Sequence, residues 1–423
     1  MKGGLSLLKN EYIFSLVSKV LMVVVGLAES ALLARYLGAE LRGSLAYIYS
    51  MSSTVYLLMT LGIYTAYPFM RKKDPRPVKQ LIDEFMTVVS ILFLIYFVVC
   101  VGAGLFFLDT DESICYILLL LPFMGYDKVV TFVFMVENPN RTNYISLLTN
   151  VVQCLFLVVC WLFSSKMLVV GVGFYVLGCL VRSVYFSRKL SFVLDANLFN
   201  LSLLWEYVKF GFFPMAALLL TTLNYRLDVI MLSHYSFISL SQIGIYSIGM
   251  GLSEKCLLIP DAMKEVLLSK LAKGRDVDEV AKVMRICFLA SLLTALAIQI
   301  SGGFIIDILY GKEYEGAEMM TYISVWGTTC MVFFKMICQY NVIQHRQHLN
   351  VFFLLASIAT NFILNILLIP YWGISGAAVA TVVGYLVSSS MFLFYFKTVS
   401  GIALSKMIFI QKEDFAFIKK AIR

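Results

Sequence analysis

The stretch VVSILFLIYFVVCVGAGLFF, residues 88–107, contains no charged side chain and is apolar at almost every position. One helix needs roughly 20 such residues to cross a bilayer core about 30 Å thick. A strand of a membrane barrel would alternate apolar and polar positions instead. Because backbone in lipid must form a helix or part of a closed barrel, this stretch predicts a transmembrane helix.

The same pattern recurs along the chain of 423 residues, of which 60% are hydrophobic and only 14% are charged. In soluble proteins about a quarter of the residues are charged. We therefore predict an all-α integral membrane protein with about twelve transmembrane helices. The predicted spans are residues 13–33, 44–69, 85–108, 114–136, 144–163, 167–187, 208–232, 243–268, 283–309, 319–341, 350–369 and 374–396.

Lysine and arginine residues are distributed unequally between the two sides of these spans. If the N-terminus is inside, the inside segments hold 23 of them and the outside segments hold 4. The positive-inside rule then predicts that both termini are cytoplasmic. This topology accounts for the net charge of +8, so the charge indicates no nucleic-acid partner.

The spans divide by number into two halves of six, and some residues repeat between the halves. Gly43 matches Gly244 at an offset of 201, and Arg141 matches Arg346 at an offset of 205. An even number of spans in each half predicts parallel repeats, and two such lobes would face each other around a central cavity. We predict an N-terminal lobe over residues 1–190, a cytoplasmic linker over 191–206, a C-terminal lobe over 207–398 and a cytoplasmic tail over 399–423. The tail mixes apolar and basic residues, which is typical of an interfacial helix, although a frayed end is an alternative.

Ionisable side chains inside the spans are the candidates for function, because an isolated charge in lipid is costly. Basic groups near mid-membrane suit an anionic ligand, since arginine binds phosphate oxygens bidentately and lysine is a mobile point charge. The candidates for binding an anionic headgroup in the cavity are Lys19, Arg226, Lys255 and Lys335. The candidates for coupling or for charge partners are Glu29, Asp127, Asp228 and Glu254.

Each of these charges has a structural alternative, in which it pairs across helices or extends to the interface. Arg182, near the cytoplasmic end of its predicted span, is the strongest candidate for reaching the interface. Pro122, Pro214 and Pro260 lie within predicted spans, where they free backbone carbonyls and indicate hinges or packing kinks.

Motifs for covalent chemistry do not occur in the sequence. It contains no Gly-x-x-x-x-Gly-Lys-[Ser/Thr] loop for ATP, and its 9 cysteines form no Cys-x-x-Cys pair. We therefore expect no cofactor, no metal site and no catalytic residue.

Several stretches resemble one family of transporters. Residues 339–346 (QYNVIQHR) and 361–381 (NFILNILLIPYWGISGAAVAT) are similar to the eleventh and twelfth helices of bacterial polysaccharide-biosynthesis flippases. Residues 33–43, which include LARYLG, and residues 226–247, which include RLDVIML and GIYS, resemble the start of each lobe in that family. Among the multidrug, oligosaccharidyl-lipid and polysaccharide exporters, the O-antigen and capsule-type flippases fit the span number and the intramembrane cations best.

The resemblance covers essentially the whole chain and implies a two-lobed flippase that is not an enzyme. Its substrate would be a polyprenyl-pyrophosphate-linked oligosaccharide repeat unit, moved from the inner to the outer leaflet of the bacterial cytoplasmic (inner) membrane by alternating access. The implied partners are this lipid-linked oligosaccharide, the membrane lipids, a polysaccharide polymerase and a chain-length regulator.

Two other functions stay open at this point. A multidrug or small-molecule antiporter of the same superfamily would share the fold. A membrane polysaccharide polymerase would need a substantial outside loop with catalytic side chains. The predicted outside segments 109–113, 233–241 and 311–316 are short, which disfavours the polymerase.

Overall fold

A computed structural model describes the backbone of residues 2–73, 75–107, 111–163, 165–199, 201–271, 274 and 277–414. It describes the side chains of these residues except 2–20, 23, 73, 139, 140, 265, 266, 269 and 270. The chain divides into two compact units, Met1–Leu219 and Leu220–Arg423. The predicted lobe and linker boundaries differ from this division and stay a prediction.

The first unit is built around one central helix. Its helices are α1 (Lys2–Met59), α2 (Ile63–Lys73), α3 (Val78–Phe107), α4 (Glu112–Glu137), α5 (Pro139–Phe163), α6 (Leu168–Leu190) and the first part of α7 (Leu201–Leu232). A short 3-10 turn, Ala196–Leu198, lies between α6 and α7. The central helix is α4, which packs against α1, α3, α5 and α6.

The second unit has an equivalent central helix. It consists of the rest of α7, α8 (Leu240–Ser253), α9 (Leu258–Leu271), α10 (Val277–Leu309), α11 (Ala317–Ile343), α12 (Gln347–Ser400) and α13 (Leu404–Ile408), with 3-10 turns at Glu254–Leu257 and Lys312–Tyr314. The central helix is α11, which packs against α8, α9, α10 and α12.

The number of spans follows from the breaks in these helices. Eight described helices are long and apolar enough to cross a membrane, and the bent pair of α1 and α2 makes a ninth. Gly38 (φ 75°) interrupts α1 and Gly373 (φ 55°) interrupts α12, so each of these long helices holds two spans. Together α8 and α9 make one more. The prediction of an all-α membrane protein with about twelve transmembrane helices is confirmed.

The bend between α1 and α2 depends on two glycines. The span turns by 44° there, and Leu61 and Gly62 have positive φ angles of 49° and 69°. Gly62 lies so close to Gly211 of α7 that a Cβ atom on either residue would overlap the backbone carbonyl of the other. Glycine is therefore required at both positions by the close approach of two backbones.

The span formed by α8 and α9 is interrupted at Pro260. Proline has no N–H, so it cannot donate a helical hydrogen bond to the carbonyl of Cys256, four residues earlier. The Ser291 hydroxyl of α10 donates to that carbonyl instead, at 2.7 Å. The backbone forms the 3-10 turn Glu254–Leu257 just before the proline, and Lys255 lies in this turn.

The described part of the C-terminal tail is attached to α10. Arg285 donates two hydrogen bonds of 2.8 Å to the carboxylate of Asp414 and one of 2.6 Å to the Lys406 carbonyl. Burial raises the pKa of Asp414, but the hydrogen bonds from Arg285 and from the Gln411 backbone outweigh it and leave this pKa below its ordinary value. Met407 of α13 is fully buried. Residues 415–423 of the predicted interfacial tail lie outside the described residues.

Candidate functional site

A cavity of about 390 Å³ lies inside the first unit, lined by side chains of α1, α4, α5 and α6. Charged side chains in a span face such a cavity because water there solvates them. The charged residues that line it are Glu29, Arg42, Asp127, Lys128 and Arg182, and the polar ones include Ser30, Tyr49, Asn150 and Gln153. Two of the predicted coupling residues, Glu29 and Asp127, are thus brought together.

Asp127 and Arg182 form a bidentate ion pair in this cavity. Arg182 Nη2 donates to Asp127 Oδ2 at 2.8 Å, and Arg182 Nε lies 3.1 and 3.2 Å from the two carboxylate oxygens. The Thr131 hydroxyl also donates to Asp127, at 3.2 Å. The prediction that Arg182 extends to the interface is wrong, because a carboxylate on the neighbouring helix supplies its countercharge inside the membrane.

Two further basic side chains face the cavity, and sequence reasoning did not select them as site residues. Arg42, which lies between the first two predicted spans, has a buried Nε atom without a hydrogen-bond partner among the described residues. The Lys128 ammonium lies over the ring of Tyr64, 5.8 Å from its centroid. Three cations and two carboxylates give the cavity lining a formal charge of +1. Arg42 does belong to a stretch that resembles the flippase family, which is the one signal that could have identified it.

A second polar cluster surrounds Asp228, inside the second unit. This aspartate is 1% exposed. Asn361 and Asn365 each donate to its Oδ1 atom at 2.8 Å, the Tyr246 hydroxyl donates to Oδ2 at 2.9 Å, and the Thr381 hydroxyl donates to Oδ2 as well. No basic side chain forms an ion pair with Asp228 among the residues that the structure describes. Every donor to this carboxylate among the described residues is therefore neutral.

The donors around Asp228 were visible in the sequence, but their role was not. All four lie in the stretches that resemble the flippase family. Asn361 and Asn365 are four residues apart, so both point from the same face of α12. The Oδ1 atom of Asn365 is buried and accepts no hydrogen bond within the described part of the chain. Carboxylate, amide and hydroxyl oxygens are the groups that hold a proton or a small hard cation.

Three of the four predicted headgroup-binding residues, Arg226, Lys255 and Lys335, lie in the second unit. Lys335 Nζ donates to Asp261 at 2.7 Å, and Lys264 binds the same carboxylate oxygen at 2.8 Å. Lys255 is partly buried and makes no side-chain hydrogen bond or ion pair with the described residues. Arg226 lies on α7 in the second unit, and the side chain of Lys19 lies outside the described residues. The remaining predicted partner, Glu254, is in the same 3-10 turn as Lys255.

Known proteins support a transporter fold for this chain. No protein-family profile matches it. A curated relative, the probable flippase AglR of Haloferax volcanii, is 27% identical over 221 residues. That alignment covers 48% of this chain and 44% of the relative, so the match spans less than half of the relative's length.

Two solved structures resemble the whole chain. The inward-facing conformation of a multidrug resistance MATE family transporter of the MOP superfamily has a TM-score of 0.69 and 11% identity, and covers 91% of this chain and 96% of its own. The lipid II flippase MurJ, in an inward closed conformation, has a TM-score of 0.70 and 14% identity, and covers 94% of this chain and 88% of its own. The chain is therefore a multi-pass membrane protein with the fold of these transporters.

Proposed function

We propose that this protein is a flippase. It moves a polyprenyl-pyrophosphate-linked oligosaccharide from the inner to the outer leaflet of the cytoplasmic (inner) membrane by alternating access, with both termini in the cytoplasm. The observation that carries this proposal is the cavity of the first unit, in which Arg42, Lys128 and Arg182 face two carboxylates. The similarity to a probable flippase supports it.

The charges of the cavity suit an anionic headgroup. A pyrophosphate gives up water when it enters the membrane, and guanidinium and ammonium groups replace that water with charge-assisted hydrogen bonds. The Nε atom of Arg42 has no acceptor among the described residues, so it can bind phosphate without breaking a hydrogen bond to any of them. Amides and hydroxyls such as those of Asn150 and Tyr49 can hydrogen-bond with sugar hydroxyls.

Lys255 and Arg226 stay candidates for headgroup binding in this proposal. An unpaired ammonium inside a span costs ~2.5–3.5 kcal/mol on insertion scales, and an anionic ligand would offset this cost. Lys335 differs, because its ion pair with Asp261 favours a structural role. Lys19 remains a candidate from the sequence alone.

Asp228 is the group that we assign to energetic coupling. A buried carboxylate without a cationic partner is a costly charge inside a membrane span. A proton or a small cation that binds to it neutralises this charge and removes the cost. The Nδ2 amides of Asn361 and Asn365 and the Thr381 hydroxyl donate to it, and an amide that turned over would present its oxygen to a bound cation. Glu29 and Glu254 are further candidates for charge partners.

A multidrug antiporter is the alternative, because a MATE transporter shares the fold. Cationic drugs would require a cavity with an excess of carboxylates, whereas the cavity of the first unit has a formal charge of +1. In this proposal a polysaccharide polymerase and a chain-length regulator, the partners that the family resemblance implies, use the product of the flippase at the outer leaflet.

Variants in a cell test the proposal. The host would lack its own flippase and would carry the genes for the lipid-linked oligosaccharide. We expect Arg42→Gln and Lys128→Gln to reduce surface glycan at least about tenfold, the equivalent of 1.4 kcal/mol, at normal membrane abundance. Lys312→Gln, an exposed lysine outside the cavity, is the matched control. Normal surface glycan in both cavity variants would refute the role of the cavity.

A further inference from the structure

A second cavity of the first unit, about 720 Å³ in volume, is a groove between α3 and α6 with α4 as its floor. Both walls pack against α4, whereas α3 and α6 hardly contact each other. The rim is formed by Leu94, Phe97, Leu180 and Val184, which are 38–63% exposed. Exposed apolar side chains in a membrane span face hydrocarbon, so this α3–α6 groove opens sideways into lipid.

One end of the α3–α6 groove is polar. The Tyr126 hydroxyl lies 3.5 Å from the Ser90 hydroxyl and 3.4 Å from the Ser187 hydroxyl, so three helices place their hydroxyls at one level. Arg188, the residue after Ser187, also lines this polar end. It is exposed and forms no ion pair with a residue that the structure describes. The rest of the groove, toward Phe97, is apolar.

The segment between α6 and α7 covers the polar end. The Val193 backbone N–H donates to Asp83 at 2.9 Å, and the Thr87 hydroxyl lies 3.5 Å from the backbone of both Val193 and Asp195. Neither of these aspartates lines the groove: Asp83 binds Val193, and Asp195 accepts hydrogen bonds from Asn197 in its own turn. The charge that lines the groove is therefore that of Arg188.

This order of groups matches a lipid of the inner leaflet. The positive-inside rule predicts a cytoplasmic position for the end of α6 that carries Arg188. From Thr87 to Phe97 the groove follows α3 for ten residues, or about 15 Å at 1.5 Å per residue. That length is half of a bilayer core about 30 Å thick, which is the depth of one leaflet.

The α3–α6 groove is separated from the charged cavity by the contact between α4 and α6. Tyr126 lines the groove, whereas the next two residues of α4, Asp127 and Lys128, line the cavity. On α6, Ser183 lines the groove and Arg182 lines the cavity. A chain in the groove is thus not continuous with a headgroup in the cavity, which favours a resident lipid over the tail of the transported substrate.

We propose that the α3–α6 groove binds one acyl chain of an anionic phospholipid of the inner leaflet, with the lipid phosphate on Arg188. Basic pockets between transmembrane helices on the cytoplasmic side are typical sites for acidic lipid headgroups. The hydroxyls of Ser90, Tyr126 and Ser187 contact the ester region of the lipid. This lipid would hold α3 and α6 at a fixed spacing, independently of the transported substrate.

Native mass spectrometry of the purified full-length protein tests the proposal. The probes are phosphatidylglycerol and phosphatidylcholine with identical acyl chains. We expect the wild type to retain phosphatidylglycerol about fivefold more strongly, the effect of one basic residue near the headgroup. Arg188→Gln should remove this preference. Leu180→Trp, which fills the rim at an exposed position, should weaken the retention of both lipids.

Lys189→Gln is the matched control, because Lys189 neighbours Arg188 but stacks on the ring of Tyr185 and does not line the groove. An equal loss in both variants would overturn the site and indicate general surface charge. Displacement of phosphatidylglycerol from the groove by a polyprenyl phosphate would overturn the choice of occupant. This experiment measures lipid retention and not transport, so its result does not depend on whether the protein is a flippase.

Discussion

Charged side chains within the spans are stabilised in two different ways. Asp127 pairs with Arg182, and Asp261 pairs with both Lys335 and Lys264. Asp228 instead relies on neutral donors. The first arrangement serves stability, while the second leaves a carboxylate whose charge can be changed by a bound ion.

Removing one member of the Asp127–Arg182 pair should destabilise the protein. Arg182→Gln leaves a buried carboxylate without its countercharge, and we expect a loss of ~3–5 kcal/mol in the free energy of unfolding. Chemical unfolding in detergent micelles measures this loss. The double variant Asp127→Asn with Arg182→Gln should recover most of it, since no buried charge remains. An unchanged midpoint for Arg182→Gln would contradict the pairing.

Neutralising Asp228 should abolish the dependence of transport on an ion gradient. Asp228→Asn keeps the size of the side chain but removes the negative charge that binds a proton or a cation. Tyr246→Phe removes one hydrogen-bond donor and keeps the carboxylate, so it should retain the dependence. Transport into vesicles with imposed proton or sodium gradients measures both. If Asp228→Asn responds to the gradients as the wild type does, the assignment is wrong.

The sequence identified most of these charges but not their surroundings. Asp127 and Asp228 could be selected because a charge inside an apolar stretch is costly wherever it points. Their partners could not, because Arg182 and Thr381 lie 55 and 153 positions away in the chain. Lys335 was selected for the same reason as Lys255, and only the three-dimensional contact with Asp261 distinguishes the two.

Helices of this protein are interrupted where backbone groups find partners outside their own helix. Ser291 replaces the hydrogen bond that Pro260 cannot make, and the glycines at positions 62 and 211 let two backbones touch. Such breaks place Lys255 in a short turn within a span and let α2 touch α7.

Ser291→Ala should therefore weaken the broken span of α8 and α9. It leaves the Cys256 carbonyl buried without a donor, which costs about 1–3 kcal/mol. Ser301→Ala on the same helix is the control, because the Ser301 hydroxyl is exposed and bonds only to its own helix at Ala297. Unfolding in detergent compares the two variants. Equal midpoints would show that the Ser291 hydrogen bond contributes nothing.

Attachment of the C-terminal tail to α10 should depend on Asp414. Asp414→Asn leaves Arg285 without a countercharge, and we expect faster proteolysis after residue 400 than in the wild type. The pKa of Asp414 is lowered in the folded protein. The ion pair between Asp414 and Arg285 is therefore fully formed above pH about 3.9, the ordinary pKa of an aspartate, and is lost only as the pH falls through the lower pKa of the folded state. Proteolysis of the wild-type tail should therefore not change between pH 5 and 8. A transition within that range would contradict the assignment.

Span positions were predictable because the hydrophobic pattern is local, whereas the form of the breaks was not. Gly38 and Gly373 fall close to the ends of predicted spans, yet their left-handed conformation joins helices that the sequence treats as separate. Pro260 was recognised as a break from its missing N–H alone. The hydrogen bond from Ser291 that replaces the missing one could not be predicted, because Ser291 and Cys256 are 35 residues apart in the chain.

The membrane topology of this chain is a prediction from its basic residues. We expect a cysteine at position 412 to react with an impermeant reagent only from the cytoplasmic side, and one at position 236 only from outside. Both positions are exposed. Strong labelling at position 412 in intact cells would overturn the orientation, and with it the assignment of the α3–α6 groove to the inner leaflet.

We propose that this chain transports a lipid-linked oligosaccharide, and a flipping assay with purified protein in liposomes tests this directly. A polyprenyl-pyrophosphate oligosaccharide is placed in one leaflet, and a glycosidase added outside reports how much becomes accessible. We predict protein-dependent accessibility that is lost in Arg42→Gln and kept in Lys312→Gln. Accessibility equal to that of protein-free liposomes, together with uptake of cationic drugs by the same protein, would contradict the proposal in favour of a drug antiporter.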